Sequence, residues 1–109
     1  FRILDDPAVT WEFLPEHVPE LTPEHAARYD AICLMSAKVT PRTLSGPDRK
    51  LALVARFGVG YDTTDVDAAR ARGIGVSNTP DVLTDCTADT AVGLLIDTMR
   101  QLPAADRYV

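Results

Sequence analysis

The sequence predicts an α/β fold in which helices cover an open parallel sheet. Two short and almost continuous apolar runs have the length of strands, residues 31–35 (AICLM) and 51–57 (LALVARF). Such runs are typical of parallel strands that are buried on both faces. Helical patterns alternate with the apolar runs along the chain, and this alternation favours a parallel sheet with helices on both of its faces.

Composition limits the class of molecule. The chain has 109 residues, enough for one domain, and 46% of them are apolar, which can supply a core. Sixteen acidic and eleven basic side chains give a net charge of −5, which disfavours a nucleic-acid partner. Cys33 and Cys86 lack the spacing of a disulfide framework or a zinc site. No apolar run is long enough for a membrane helix, and the first residues do not resemble a signal peptide. We therefore expect a cytoplasmic domain without metal.

The N-terminal part is expected to contain one strand and to lack another. Residues 9–14 (VTWEFL) alternate in polarity like a strand, which would place Trp11 and Phe13 in the core. Residues 1–4 (FRIL) form the only earlier apolar run, but the DDPA that separates the two runs is too short for a parallel crossover, which needs about ten residues. We therefore expect the first strand of the sheet to be absent from this sequence.

A helix, a strand and a polar connection are expected next. Thr22 and Pro23 supply an N-cap and a first-turn proline for a helix that runs through Tyr29. The apolar run 31–35 then forms a buried strand. Residues 36–47 carry turn-forming side chains and are expected to form at most one short helical turn.

The second half is expected to continue with strand, helix and strand. The run 51–57 forms a buried strand that ends at a pair of glycines. Thr64 or Asp65 can cap the following helix, and Gly73 stands where a left-handed residue commonly ends a helix. Residues 75–77 form a short strand.

The longest predicted helix spans residues 84–101. Its apolar side chains follow helical spacing on one face, and Leu94 and Ile96 widen that face beyond a single stripe. We therefore expect this helix to contact two bodies. Pro103 ends or kinks the helix and leaves residues 104–109 without a packing partner.

The segment 56–65 (RFGVGYDTTD) carries the main functional signal. Gly58 and Gly60 stand at the carboxyl end of a predicted strand, where ligands bind open parallel sheets, and glycine lets backbone N–H groups approach an anion. The alternative is structural, because a tight strand-to-helix turn needs residues that tolerate positive φ. A dinucleotide fingerprint would require glycine at the position of Thr63, so phosphate binding by this loop is disfavoured.

Residues 55–109 (ARFGVGYDTTDVDAARARGIGVSNTPDVLTDCTADTAVGLLIDTMRQLPAADRYV) resemble the D-isomer-specific 2-hydroxyacid dehydrogenase family, especially its glyoxylate and hydroxypyruvate reductase branch. GVGYD, the RGI turn, the NTPDVLTD joint and the TADTAVGLL helix carry the resemblance, and residues 29–41 (YDAICLMSAKVTP) are more loosely similar to the family's second loop. The resemblance implies a flavodoxin-like substrate-binding lobe over residues 1–83, incomplete at its N-terminus. It also implies that residues 84–109 form an interdomain helix that leads to an NAD(P)-binding Rossmann lobe absent from this sequence.

The resemblance implies roles for four residues around the substrate. The backbone N–H groups of Val59 and Gly60 would bind the carboxylate of a small 2-keto acid of the glyoxylate or hydroxypyruvate class. Two amide donors can bind a carboxylate bidentately without a buried charge on the protein. Met35 and Ser36 would line the other side of the substrate, and the alternatives for them are core packing and a helix cap.

Two more positions are assigned by the same resemblance. Thr87 would lie close to the nicotinamide of NAD or NADP, and its alternative role is a helix cap. Asn78 would act as a hinge residue whose side chain is tied to the GVGYD loop, and its alternative is an ordinary Asn-x-Pro turn.

The family's chemistry is hydride transfer from NADH or NADPH to a 2-keto acid, with an arginine that orients the substrate and a His–carboxylate pair that supplies the proton. The resemblance places these groups beyond Val109. It therefore implies no catalytic residue in this chain, no turnover by this chain alone, and a homodimer for the full-length protein.

The remaining candidate side chains and two other classes of protein have weaker support in the sequence. His17 and His25 are expected to be exposed, and Arg56 is interpreted as reaching solvent, with attraction of an anion as the alternative. A stand-alone interaction module would use the apolar face of residues 88–99. A flavodoxin-type electron carrier would need a phosphate loop that the sequence lacks.

Overall fold

The computed structural model describes residues 4–14 and 16–108. Within these residues it contains a three-stranded parallel sheet in the order β1-β2-β3 and four helices. The elements in chain order are α1 (Pro23–Arg28), β1 (Ala31–Leu34), β2 (Leu53–Arg56), α2 (Val66–Arg70), β3 (Gly75–Ser77), α3 (Thr84–Arg100) and α4 (Leu102–Asp106). The predicted parallel α/β architecture is confirmed.

One face of the sheet is covered and holds the core. The register places Ile32, Val54 and Val76 side by side on this face, and Val54 is completely buried. Ala26 of α1 and Ala69 of α2 belong to the same apolar cluster, so both helices contribute to one core. The remaining buried members of the cluster are Leu21, Leu34, Val39, Leu44, Leu51 and Ile74. Burial of each Leu, Ile or Val side chain contributes about 1.5–3 kcal/mol.

The opposite face of the sheet is open in the described residues. Ala31 pairs with Leu53, and Leu53 pairs with Gly75, so these three residues share that face. Ala31 and Gly75 are exposed, and Leu53 is 39% exposed. The expectation that β1 and β2 are buried on both faces is therefore wrong for the described residues, and so is the expectation of helices on both faces. The reason is that α1 and α2 contribute to a single core on the other face.

The helix α2 begins and ends as its sequence indicates. The Asp65 carboxylate caps it by accepting a hydrogen bond from the Ala68 N–H at 2.8 Å. Gly73 has φ +70 in the turn after the helix, a conformation that L-residues with side chains rarely adopt. The predicted cap and the predicted left-handed glycine are confirmed.

The predicted strand at residues 9–14 is wrong. These residues form no strand, and Trp11 and Phe13, expected in the core, are 44% and 74% exposed with their rings in an edge-to-face contact at 5.4 Å. A strand needs a neighbour to pair with its backbone groups, and the described strands pair only with one another. Residues 1–3 of the FRIL run lie outside the described residues, so the expectation of an absent first strand stays a prediction.

Side-chain hydrogen bonds hold the 9–14 segment on α1. The Glu12 carboxylate accepts from Arg28 Nη2 and from the Tyr29 hydroxyl, each at 2.6 Å. Glu12 therefore faces α1, although the segment around it forms no strand.

The helix α3 extends away from the sheet. Its 17 residues give a length of about 26 Å. None of its described side chains is buried, and among the described elements it packs only on α4. The Cα radius of gyration is 19.6 Å, whereas a compact chain of this length has about 13 Å.

The end of α3 differs in one respect from the expectation. The helix ends at Arg100, one residue before the predicted end, and Gln101, with φ +52, is its C-cap. Leu102–Asp106 then form α4, which contains Pro103. Residues 104–108 are all exposed, in agreement with the expectation that they have no packing partner.

Candidate functional site

Three connections meet at the carboxyl edge of the sheet. Parallel strands end at the same edge, so the residues that follow β1, β2 and β3 lie side by side there. Met35 and Ser36 follow β1, the Gly58–Gly60 loop follows β2, and Asn78 follows β3. The fold thus brings together, at one edge of the sheet, the three segments that contain every predicted site residue except Thr87.

The two glycines of the loop have different local explanations. Gly58 has φ +138, and a Cβ added there would lie 3.3 Å from Arg56 Nη1, so the backbone itself requires glycine at this position. Gly60 is not among the residues with positive φ, and an added Cβ would meet only Asp62 Oδ2, at an ordinary 3.6 Å. Turn geometry therefore accounts for Gly58 and leaves Gly60 without a structural reason in the described residues.

The segment after β3 holds the loop through three hydrogen bonds. The Gly58 N–H donates to Thr79 Oγ1 at 3.0 Å, and the Thr79 N–H donates to the Gly58 carbonyl at 3.0 Å. Asn78 Nδ2 donates to the Val59 carbonyl at 2.8 Å, so the hydrogen bond expected between Asn78 and the loop is present. These bonds join the loop to the joint that leads into α3.

The same bonds fix the direction of the next two amides. The described peptide bonds are all trans, and in a planar trans peptide the N–H points opposite to the carbonyl. The carbonyls of Gly58 and Val59 both point at the segment containing Asn78 and Thr79. The N–H groups of Val59 and Gly60 therefore both point away from that segment. Neither N–H has an acceptor among the described residues.

Opposite charges flank the loop. Arg56 Nη1 donates to the Phe57 carbonyl at 2.6 Å, and Arg56 Nε is buried without a hydrogen-bond partner in the described part of the chain. No carboxylate among the described residues forms an ion pair with Arg56. The side chain is half-buried and lies beside Gly58, and its bond to the Phe57 carbonyl is exposed, so Arg56 reaches solvent in part. The Asp62 carboxylate lies beside Gly60.

A shallow depression connects the loop with the start of α3. Its volume is about 480 Å³, and its lining residues are Val59, Leu83, Thr84, Thr87, Ala88 and Ala91. Thr87 does not cap α3, because the N-cap is Leu83 and no side-chain cap bond is present. The Thr87 hydroxyl has no hydrogen-bond partner within residues 4–14 and 16–108 and can meet a ligand. The wall of the depression is mostly apolar and suits the face of an aromatic ring better than a phosphate group.

Met35 and Ser36, which follow β1, have neither of the structural roles that were the alternatives to substrate binding. Met35 is 66% exposed, which excludes core packing. Ser36 is exposed, and no helix begins at it, which excludes a helix cap.

Thr79 is a residue that the sequence reasoning missed. The sequence indicates only that it is part of the Asn-x-Pro turn after β3, although its hydroxyl and its N–H both bond to Gly58. The available signal was its position beside Asn78 at the end of the strand adjacent to β2, where a hydroxyl can reach the neighbouring loop.

The histidines and acidic clusters add no further site. His17 is exposed, whereas His25 is half-buried, and its Nδ1 accepts the Thr22 N–H at 3.0 Å, so the expectation that His25 is exposed is wrong. Among the described residues no group of three or more His, Cys, Asp or Glu side chains is placed to hold a metal ion. No helix within the described ranges is long and apolar enough to cross a membrane.

Comparison with known proteins gives the family. Residues 2–103 match the sequence profile of the D-isomer specific 2-hydroxyacid dehydrogenase catalytic domain. A glyoxylate reductase of Pyrococcus horikoshii is 45% identical over 80 residues, which are 73% of this chain and 24% of that protein. The human glyoxylate reductase/hydroxypyruvate reductase is 41% identical over 91 residues, which are 84% of this chain and 28% of that protein.

A solved structure agrees with the sequence comparison. The crystal structure of the PH0520 protein from Pyrococcus horikoshii matches with a TM-score of 0.58 and 31% identity, over 76% of this chain and 25% of that one. The chain therefore belongs to the D-isomer specific 2-hydroxyacid dehydrogenase family, as part of its catalytic domain. It spans about a quarter of the length of these relatives.

Proposed function

We propose that this chain is the substrate-binding part of an NAD(P)-dependent 2-hydroxyacid dehydrogenase that reduces a small 2-keto acid of the glyoxylate or hydroxypyruvate class. The observation that carries the proposal is the pair of Val59 and Gly60 N–H groups, which point in a common general direction and lack acceptors among the described residues. Family membership supports the keto acid as substrate.

The amide pair is suited to a carboxylate. Its two donors match the two oxygens of the acid group, and each charge-assisted hydrogen bond contributes about 1.5–3 kcal/mol. The unpaired Arg56 guanidinium beside Gly58 adds positive potential, whereas Asp62 reduces it. In this proposal Met35 and Ser36 line the far side of the substrate.

The proposal assigns the cofactor to the α3 side of the loop. Thr87 would contact the nicotinamide end of NAD or NADP, across the depression that it lines with Val59. Reduced nicotinamide, when bound, would supply a hydride, and the role of this chain's residues would be to hold the acid in position. The phosphates would be held by a Rossmann lobe, since Thr63 replaces the last glycine of a phosphate-binding fingerprint.

The remaining parts of the chain have structural roles in the proposal. Residues 1–83 form a flavodoxin-like lobe, residues 84–109 lead to the cofactor lobe, and Asn78 acts at the hinge between them. The exposed apolar side chains of α3 are consistent with contacts outside this chain, including those of a homodimer. The groups that orient the substrate and transfer the proton lie outside this chain.

An NMR titration of the ¹⁵N-labelled chain tests the proposal. Oxamate, an unreactive mimic of a 2-keto acid, is expected to shift the amide signals of Val59 and Gly60 saturably, with a dissociation constant of about a millimolar for two such bonds. The neutral analogue oxamide is expected to leave them unchanged.

A matched pair of variants controls for nonspecific effects. Val59→Pro removes one N–H and is expected to abolish the response at Gly60, whereas Val59→Ala keeps the donor and is expected to retain it. Saturable shifts elsewhere, with Val59 and Gly60 unaffected, would contradict the proposal.

A further inference from the structure

We infer that Thr79 is a positioning residue that sets the number and the direction of the amide donors offered to the substrate carboxylate. This inference rests on the proposed function and deepens it. Thr79 makes no contact with the anion in this account. It acts through Gly58, to which it is joined in both directions, by its hydroxyl as acceptor and by its N–H as donor, each at 3.0 Å.

The hydroxyl of Thr79 removes one donor from the site. The loop has three successive N–H groups, on Gly58, Val59 and Gly60, and only the first has an acceptor within the described chain. Gly58 is half-buried, so its N–H would lose an acceptor that solvent replaces only in part if the hydroxyl were absent. With the hydroxyl present, two donors remain for an anion with two coplanar oxygens.

The backbone of Thr79 sets the direction of the Val59 donor. The Thr79 N–H holds the Gly58 carbonyl, and this carbonyl lies in the same peptide plane as the Val59 N–H. Asn78 fixes the next plane in the same way through the Val59 carbonyl. Gly58 has φ +138 and is bonded to Thr79 through both its N–H and its carbonyl. Because glycine has few steric limits on its backbone angles, loss of one of these bonds would let the Gly58 backbone rotate.

Two variants of Thr79 separate the effect of its hydroxyl from the effect of its packing. Thr79→Val is nearly isosteric and removes only the hydroxyl acceptor. It is expected to weaken oxamate binding about tenfold, because the loop loses one of the bonds that hold its amides in the binding direction. Thr79→Ser keeps the hydroxyl and is expected to bind oxamate within about twofold of the wild-type chain. Rescue by serine would assign the effect to the hydrogen bond and not to packing.

Amide hydrogen exchange supplies a readout that packing alone would not change. In the unliganded wild-type chain we expect the Gly58 amide to be protected and the Val59 and Gly60 amides to exchange rapidly. Oxamate is expected to protect Val59 and Gly60. In Thr79→Val the Gly58 amide is expected to lose its protection while the amides of β2 keep theirs.

The outcomes separate this inference from the proposed function. If oxamate shifts Val59 and Gly60 equally well in wild type and in Thr79→Val, only the inference fails. If the wild-type chain shows no response to oxamate, the proposed function fails and the inference with it. Should Thr79→Val not fold, exchange in the wild-type chain decides, since rapid exchange of the Gly58 amide there overturns the inference.

Discussion

At the scale of single residues, the candidate site consists of backbone groups, some of which are hydrogen-bonded by neighbouring residues and some of which are not. Thr79 and Asn78 accept or donate at Gly58 and Val59, and the next two N–H groups are left without acceptors among the described residues. In a main-chain site of this kind, the direct contacts with an anion come from backbone N–H groups. Its selectivity depends on geometry, and geometry depends on the glycines.

The two glycines of the loop are expected to respond differently to alanine. Gly58→Ala places a side chain at φ +138 and is expected to cost about 1–3 kcal/mol of unfolding free energy. Gly60→Ala meets only an ordinary contact and is expected to change stability by less than about 0.5 kcal/mol while weakening oxamate binding. Urea unfolding of the two variants checks this, and equal destabilisation would show that Gly60 also serves the turn.

At the scale of elements, a segment without secondary structure is held against α1 by specific polar contacts. The segment 9–14 has no backbone ladder, and Glu12 attaches it to α1 through Arg28 and Tyr29. The hydrogen bond to Glu12 raises the pKa of the Tyr29 hydroxyl above its ordinary value of 10.0, because the neutral phenol is the donor. The contact therefore depends on the protonated form of Tyr29.

The attachment of the 9–14 segment is expected to weaken in strong alkali, because Tyr29 loses its hydrogen bond to Glu12 while Arg28 keeps its own. A raised folded-state pKa means that the contribution of Tyr29 is fully present below pH 10 and declines as pH passes through the raised value. Acrylamide quenching of Trp11, the single tryptophan, is expected to increase over that range. Tyr29→Phe is expected to be more quenched already at neutral pH and to show no such step, and a step that persists in this variant would contradict the assignment.

At the scale of the whole molecule, the chain has a compact part and a projecting part. The sheet, α1 and α2 share one core, whereas α3 packs only on α4 among the described elements. The exposed apolar side chains of α3 include Leu94, Leu95 and Met99, the last of them 73% exposed. An apolar face of this size is typical of a surface that meets another body.

Removal of residues 84–109 is expected to leave the compact part folded. Because α3 contributes no buried side chain to the described core, the urea midpoint is expected to stay unchanged, and the radius of gyration is expected to fall from near 19.6 Å to about 12 Å. Small-angle scattering and urea unfolding measure the two quantities. A shortened chain that unfolds would show that the long helix supports the sheet.

The sequence by itself determined the elements whose signals are local. Apolar runs of strand length located β1 and β2, Asp65 and Gly73 bounded α2, and helical spacing located α3, because caps and periodicity act within a few residues. The GVG loop could be identified as a candidate site in the same way. Whether its glycines serve the turn or a ligand could not be decided from their spacing.

Only the tertiary structure decided which groups are partners. Residues 9–14 have the alternation of a strand but no neighbour to pair with, and the open face of the sheet follows from where α1 and α2 pack. The bonds from Thr79 and Asn78 to the loop span about twenty positions in sequence. Long-range pairing of this kind depends on the order of strands in the sheet, and local sequence signals do not carry it.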